Sequence, residues 1–231
     1  MSRPAHLLEP GRVPYLEAWD LQRSLAAQVL QGSIPDTVIL LEHPPVVTLG
    51  RRTADGELHL PDTAEVEVVE TDRGGKSTYH APGQLVCYPI LDLGRHGQDV
   101  KRYCRDLEEA LIRTIGAVGV EATRIEGLTG IWLDRPPRKI ASIGVHISKW
   151  VTTHGYALNV DLDPAPFTEW ITACGLEDTA FTTLARELGR PVTVDEVKPH
   201  AARALEEVFD LAFEPVPAGV PAPPSHASVS V

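Results

Sequence analysis

Lys139-Ile140-Ala141-Ser142-Ile143-Gly144-Val145-His146-Ile147 settles into strict alternation over its second half. Ala141, Ile143, Val145 and Ile147 face one way and Ser142, Gly144 and His146 the other, the period-two signature of a half-buried strand. Lys139 has the parity of the apolar side and stands at its edge. Val151–Val160 follows as a partner strand, with Ser148 and Trp150 near the intervening turn.

Outward from this pair, short apolar runs bounded by turn residues predict further strands at Leu85–Leu91, Glu65–Glu70, Val46–Leu49 and Thr37–Glu42. His43-Pro44-Pro45 forces an extended turn between the last two, because proline restricts its own φ and the residue before it. Helical spacing predicts Val13–Leu30, with Ala18, Leu21, Leu25 and Val29 on one face. It also predicts Asp99–Val118, where Val100, Cys104, Leu107, Leu111, Ile115 and Val118 share a stripe and Gly119 follows the end. A short helix is expected over Asp163–Ile171. The capping-box spacing of Thr193-Val194-Asp195-Glu196 opens a last helix carrying Val197, Ala201, Leu205 and Val208. Strands in the middle with helices around them predict an α+β fold, a central sheet flanked by helices. One domain is expected over 1–214, and the Pro/Ala/Ser-rich stretch 215–231 reads as a disordered tail unable to bury a core.

No apolar run approaches the roughly 18 residues of a membrane span. Leu7-Leu8 is followed at once by Glu9, Pro10, Gly11 and Arg12, so the start does not read as a signal peptide. Three widely spaced cysteines make no disulfide framework. Together these predict a cytoplasmic protein with reduced thiols and no membrane partner. The net charge of −11 argues against nucleic-acid binding, which needs a positive field to neutralise phosphates. Arg51, Arg52, Arg73 and Lys76 nevertheless gather near one loop.

That loop is Arg73-Gly74-Gly75-Lys76-Ser77-Thr78-Tyr79-His80-Ala81-Pro82-Gly83-Gln84. Glycines let a backbone approach a ligand closely, and the polar side chains among them can orient it. Cys87 and Cys104 lie in apolar patterns and read as core. Cys174, in Thr172-Ala173-Cys174-Gly175, ends a helical segment next to a glycine and is the candidate nucleophile. A thiolate needs a nearby cation or base. Lys139 fits that need: an amine at the edge of an apolar face loses hydration that favours its charged form, and becomes a usable proton acceptor. It could equally snorkel to water from the sheet edge. His80, His146 and His154 offer a rival cysteine–histidine pairing. No CxxC or HExxH supports a metal. Gly75-Lys76-Ser77 lacks the upstream glycine of a phosphate-binding loop, so no cofactor is expected.

With those residues assembled, the chain resembles the lipoyl(octanoyl) transferases from about Val38 to Leu188. Glu42-His43-Pro44-Pro45 is similar to the family's EHPP segment, and Arg73-Gly74-Gly75 with Thr78–Gln84 to its RGGxxTYHGPGQ signature. Lys139–Gly144 resembles the catalytic-lysine strand, His154-Gly155-Tyr156-Ala157-Leu158-Asn159 the HGFALN-like segment, and Ala173-Cys174-Gly175 the PCG turn. Ala81 replaces the usual glycine and Ala173 the usual proline.

The resemblance implies the two-layer α/β fold of lipoate ligases and biotin protein ligases, with a mixed central sheet flanked by helices. It implies transfer of octanoyl from octanoyl-acyl carrier protein, through an acyl-cysteine on Cys174 with Lys139 as base. The acceptor would be a lysine of lipoyl domains of 2-oxoacid dehydrogenase complexes or of the glycine cleavage H protein. Arg73, Gly74, Gly75, Lys76, Ser77, Thr78, Tyr79, His80, Ser142, Ile143, Gly144, Gly155, Tyr156 and Ala157 would bind substrate. Backbone N–H groups near Ser142–Gly144 and Cys174 would stabilise the oxyanion. The rival readings are an ATP-dependent lipoate or biotin ligase on the same fold, and an inactive module that binds lipoyl domains.

Overall fold

Val38, Ile39, Leu40 and Leu41 are all fully buried in strand β2 (Asp36–Glu42). Neighbouring residues of a strand point to opposite faces, so this sheet needs cover on both sides. Beneath Ile39 and Leu41 lies helix α1 (Tyr15–Gln31), which supplies Ala18, Leu21, Leu25 and Val29. Helices α2 (Val100–Ala117) and α5 (Val194–Phe209) cover Val38 and Leu40 with Leu107, Leu111, Ile115, Val197, Ala201 and Leu205.

The chain is seen in a computed structural model that describes residues 2–172 and 179–221. The remaining strands are β1 (Arg3–Arg12), β3 (Val46–Leu49), β4 (Glu67–Glu70), β5 (Thr78–His80), β6 (Gln84–Ile90), β7 (Thr123–Ile125), β8 (Leu128–Leu133), β9 (Arg138–Ser148), β10 (Val151–Asn159), β11 (Ala180–Phe181) and β12 (Leu211–Glu214). Short helices α3 (Pro166–Glu169) and α4 (Leu184–Leu188) complete the set. The main sheet runs β12-β1-β2-β6-β10-β9-β8-β7, with β11 paired to β9, and β4-β3-β5 form a second small sheet. Parallel pairs (β1 with β2 and β12, β11 with β9) join antiparallel ones, so the sheet is mixed.

The predicted strands and long helices are present within one to two residues at most ends. Asp99 caps α2 by accepting from the Arg102 N–H, and Thr193 caps α5 by accepting from Glu196 N–H. Four features depart from expectation. Helices cover the sheet on both faces, α1 on one and α2 with α5 on the other, so there are three layers where two were expected. Arg3–Arg12 is a strand whose pairing slips between Leu8 and Gly11, and its Pro4, Pro10 and Gly11 hide it in the sequence. The expected helix over 163–171 contracts to α3, since Pro164 and Pro166 delay helical geometry. The glycine loop is no plain loop: Thr78–His80 is a strand paired with β3. Of the expected tail, residues 215–221 carry neither helix nor strand and the rest lies outside the described residues. Among the described residues no helix is long and apolar enough to cross a membrane.

Candidate active site

The first part of the glycine loop lies flat on β9. Gly74 donates its N–H to the Val145 carbonyl at 2.9 Å. A Cβ on Gly144 would stand 3.0 Å from the Gly74 carbonyl oxygen, and one on Gly74 would stand 3.2 Å from that of Val145. Two backbones can approach this closely only without side chains, which explains glycine both in the loop and on β9. Arg73 sits largely buried beneath the loop. Its guanidinium donates to the Thr48 hydroxyl and carbonyl, each at 2.7 Å from Nη2, and to the Lys76 carbonyl at 2.7 Å. Much of its capacity therefore goes to holding the loop's shape.

Thr78 and His80 point one way from β5 and Tyr79 the other, as strand geometry requires. Tyr79 consequently turns from the site and packs edge-on to Phe167 and Trp170, at 5.9 and 5.4 Å between ring centres. It was expected among the substrate-binding residues; here it is part of a small apolar cluster. The other expected positions, Arg73 to Thr78, His80, Ser142 to Gly144 and Gly155 to Ala157, all line one cavity of about 430 Å³. β9 and β10 set Ser142 opposite Ala157, Ile143 opposite Tyr156 and Gly144 opposite Gly155. Gly155 must be glycine, because a Cβ there would lie 2.2 Å from the Cys87 carbonyl oxygen on β6.

Lys139 lines the same cavity although only 2% exposed. Its Nζ lies 5.5 Å from the centre of the Trp132 ring. Across β8, Gly130 leaves room for it: a Cβ there would stand 2.8 Å from Lys139 Cε. Arg138, next in sequence, is tied outside by a two-pronged ion pair to Glu187 at 3.0 and 2.8 Å.

Residues that sequence reasoning did not place here are Tyr15, Val86, Tyr88, Cys104, Val145 and Gly127 with Leu128 and Thr129 at the start of β8. Cys104 is a correction. It was expected in the core, yet it is half-buried and reaches the cavity wall, with burial and then Glu108 pushing its thiol pKa up. Its stripe on α2 gave no sign that the sheet beneath would open. Cys87 is fully buried, and burial raises its thiol far above the usual range.

Beside Lys139's cavity stands a group of buried rings, of which Tyr15, Tyr88 and His154 line it while His43 does not. His43 bonds through Nδ1 to the Val13 carbonyl at 2.7 Å, so Nδ1 carries the hydrogen and Nε2 accepts from the Tyr88 hydroxyl at 2.7 Å. Burial lowers its pKa to about 4. His154 sits mid-strand with a φ of 56°. Gln22 accepts from its backbone N–H at 2.7 Å, and Asp72 accepts from its Nε2 at 2.8 Å. His146 lies 3.7 Å from the other oxygen of Asp72. These two histidines are thus engaged with Asp72. Among the described residues no group of three His, Cys, Asp or Glu is placed to hold a metal.

Cys174 lies outside the described residues. The chain leading to it is fastened: Thr172 donates its N–H to the Glu57 carbonyl at 2.9 Å, and its own carbonyl accepts from Ser77 Oγ at 3.3 Å. Glu57 in turn pairs with Lys76. A polar stretch expected to be loop therefore links the glycine loop to residue 172.

Comparisons with known proteins agree with this construction. Residues 14–206 match the lipoyl protein ligase A/B catalytic domain. An octanoyltransferase of Chloroflexus aurantiacus is 48% identical over 207 residues, covering 87% of this chain and 92% of that protein. One from Mycobacterium tuberculosis is 51% identical over 202 residues, covering 87% and 85%. The fold is similar to a bipartite lipoate protein ligase of Thermoplasma acidophilum, with a TM-score of 0.71 at 18% identity over 93% of this chain and 86% of that one. A biotin protein ligase of Aquifex aeolicus shares it at a TM-score of 0.54 and 12% identity, over 88% and 70%. On this match, with the cavity and its motifs in register, the chain belongs to the octanoyltransferase family within the lipoyl protein ligase A/B catalytic domain.

Proposed function

We propose that this chain transfers an octanoyl group from octanoyl-acyl carrier protein to a lysine of a lipoyl carrier domain, in the cytoplasm, through a thioester on Cys174. The observation that carries the reading is a buried amine, Lys139, in the wall of a cavity of about 430 Å³ floored by the glycine loop. That size suits a small ligand, and burying the acyl tail in it stabilises the complex by about 0.8 kcal/mol per CH₂.

In the first step the Cys174 thiol gives its proton to Lys139 Nζ, and the thiolate attacks the donor's thioester carbon. The bond to the carrier sulfur breaks, and that sulfur takes the proton from Lys139. Exchange of one thioester for another is nearly neutral. In the second step the acceptor lysine's amine attacks the acyl-cysteine and passes a proton to Lys139, which returns it to the departing Cys174 sulfur. A thioester becomes an amide, which drives the reaction forward without an energy-rich co-substrate.

Intact mass after mixing with octanoyl-acyl carrier protein tests this. The expected result is a gain of one octanoyl group, removable by hydroxylamine and absent in Cys174→Ala. Labelling that persists in Cys174→Ala, or that demands free octanoate and ATP, defeats the proposal.

A further inference from the structure

His80 carries an arrangement that the two-residue chemistry above does not use. The Thr182 carbonyl can only accept, so the group bonded to it at 3.1 Å is the Asn159 amide nitrogen. That leaves Asn159 Oδ1 to accept from Gln84 Nε2 at 3.0 Å. Gln84 Nε2 also donates to the Tyr79 carbonyl at 3.3 Å, and Gln84 Oε1 then accepts from His80 Nδ1 at 2.7 Å. Each amide is oriented by the one before it, starting from a backbone carbonyl. The ring of His80 is therefore fixed with its hydrogen on Nδ1 and a lone pair on Nε2.

The ring itself is held by stacking on Tyr15 at 6.0 Å and by an edge contact with His43 at 5.6 Å. It is 6% exposed, and what it exposes lies on the cavity that Lys139 also lines. Among the described residues none hydrogen-bonds to Nε2. Burial, with His43 and Arg73 adding to it, holds the imidazole well below the ordinary histidine range. It stays a neutral acceptor at neutral pH.

A lone pair on the cavity wall selects its partner by chemistry. The thioester carbonyl and its sulfur bring no hydrogen, and both would be repelled. The attacking amine brings hydrogens: it approaches with two N–H groups, and after one proton goes to Lys139 the other remains on the nitrogen. We infer that His80 Nε2 accepts an N–H of the incoming lysine amine, aiming the nitrogen lone pair at the acyl carbon in the second half of the reaction. This rests on the proposed transfer reaction and assigns His80 to one half of it.

The two halves can be measured separately, as acyl-enzyme formation by intact mass and as transfer from isolated acyl-enzyme to a lipoyl domain. Loss of one hydrogen bond to an amine carrying developing charge corresponds to roughly 10- to 100-fold. In His80→Phe, which keeps a ring against Tyr15, transfer should fall by about that factor and acyl-enzyme formation by clearly less. His80→Gln, which returns an acceptor oxygen, should recover part of the transfer rate. Equal loss of both halves in both variants would mean a structural role and overturn the inference. So would undiminished transfer, or a loss confined to donor binding. If the wild-type chain forms no acyl-enzyme, the transfer reaction fails first and independently of His80.

Discussion

Lys139 owes its place to a residue with no side chain. Gly130 has a φ of 104°, and a Cβ there would stand 2.4 Å from the Ala141 carbonyl oxygen as well as 2.8 Å from Lys139 Cε. The Ala141 carbonyl cannot yield, since Ala141 is in the core and paired to β8, while Lys139 Cε would be pushed away into the cavity. Gly130→Ala should therefore cost about 3 kcal/mol, combining an unfavourable φ with a backbone contact. The expected result is a clear fall in melting temperature together with slower acyl-enzyme formation. A variant as stable and as fast as the parent would show that β8 relaxes freely and that Lys139 needs no such gap.

At the scale of elements, the motifs prove to be fastenings between strands. Glu42, ending β2, accepts from the Gly83 N–H at 2.7 Å, which ties the EHPP segment to the turn before β6. Gln84 at the head of β6 and Asn159 at the end of β10 are paired both in register and by side chain. Asn159 reaches Thr182, whose N–H donates to the Lys139 carbonyl at 3.0 Å. Alternation in 139–147 and apolar runs elsewhere made the strands legible, because burial on a pleated sheet leaves a local pattern. β1 and β12 were illegible: their parallel pairing joins positions about two hundred residues apart, and neither alternates cleanly. The cavity was readable through its glycines and polar residues but not through Tyr15, Tyr88 or Cys104. Their patterns announce a core, and only the tertiary opening beside them makes them wall. Mutual orientation of Gln84 and Asn159 predicts energetic coupling. Each of Gln84→Leu and Asn159→Leu should destabilise by about 1–3 kcal/mol, by stranding the other amide. The double variant should lose less than the sum, by roughly 0.5–3 kcal/mol in a denaturant-melt cycle. Strict additivity would mean that the two amides act separately.

For the whole molecule the net charge of −11 poses a difficulty, because the proposed donor arrives on a carrier protein that is itself acidic. Long-range repulsion slows encounter unless a local patch of opposite sign offsets it. Arg51 and Arg52, at the edge of the site, are the side chains expected to supply such a patch. Their backbone N–H groups donate to the Arg73 and Gly75 carbonyls at 3.1 and 3.0 Å, while both side chains are exposed. Arg52 also lines the cavity, whereas Arg51 does not, so Arg51 separates steering from chemistry. Arg51→Glu should lower kcat/KM for the carrier-borne donor by about tenfold at low ionic strength. The deficit should shrink as salt brings the screening length to about 8 Å near 0.15 M. With the octanoyl thioester of a small neutral thiol, which has no charge to steer, the loss should be far smaller. An equal loss with both donors would assign Arg51 to the shape of the site, and an unchanged rate with the carrier would place the docking surface elsewhere.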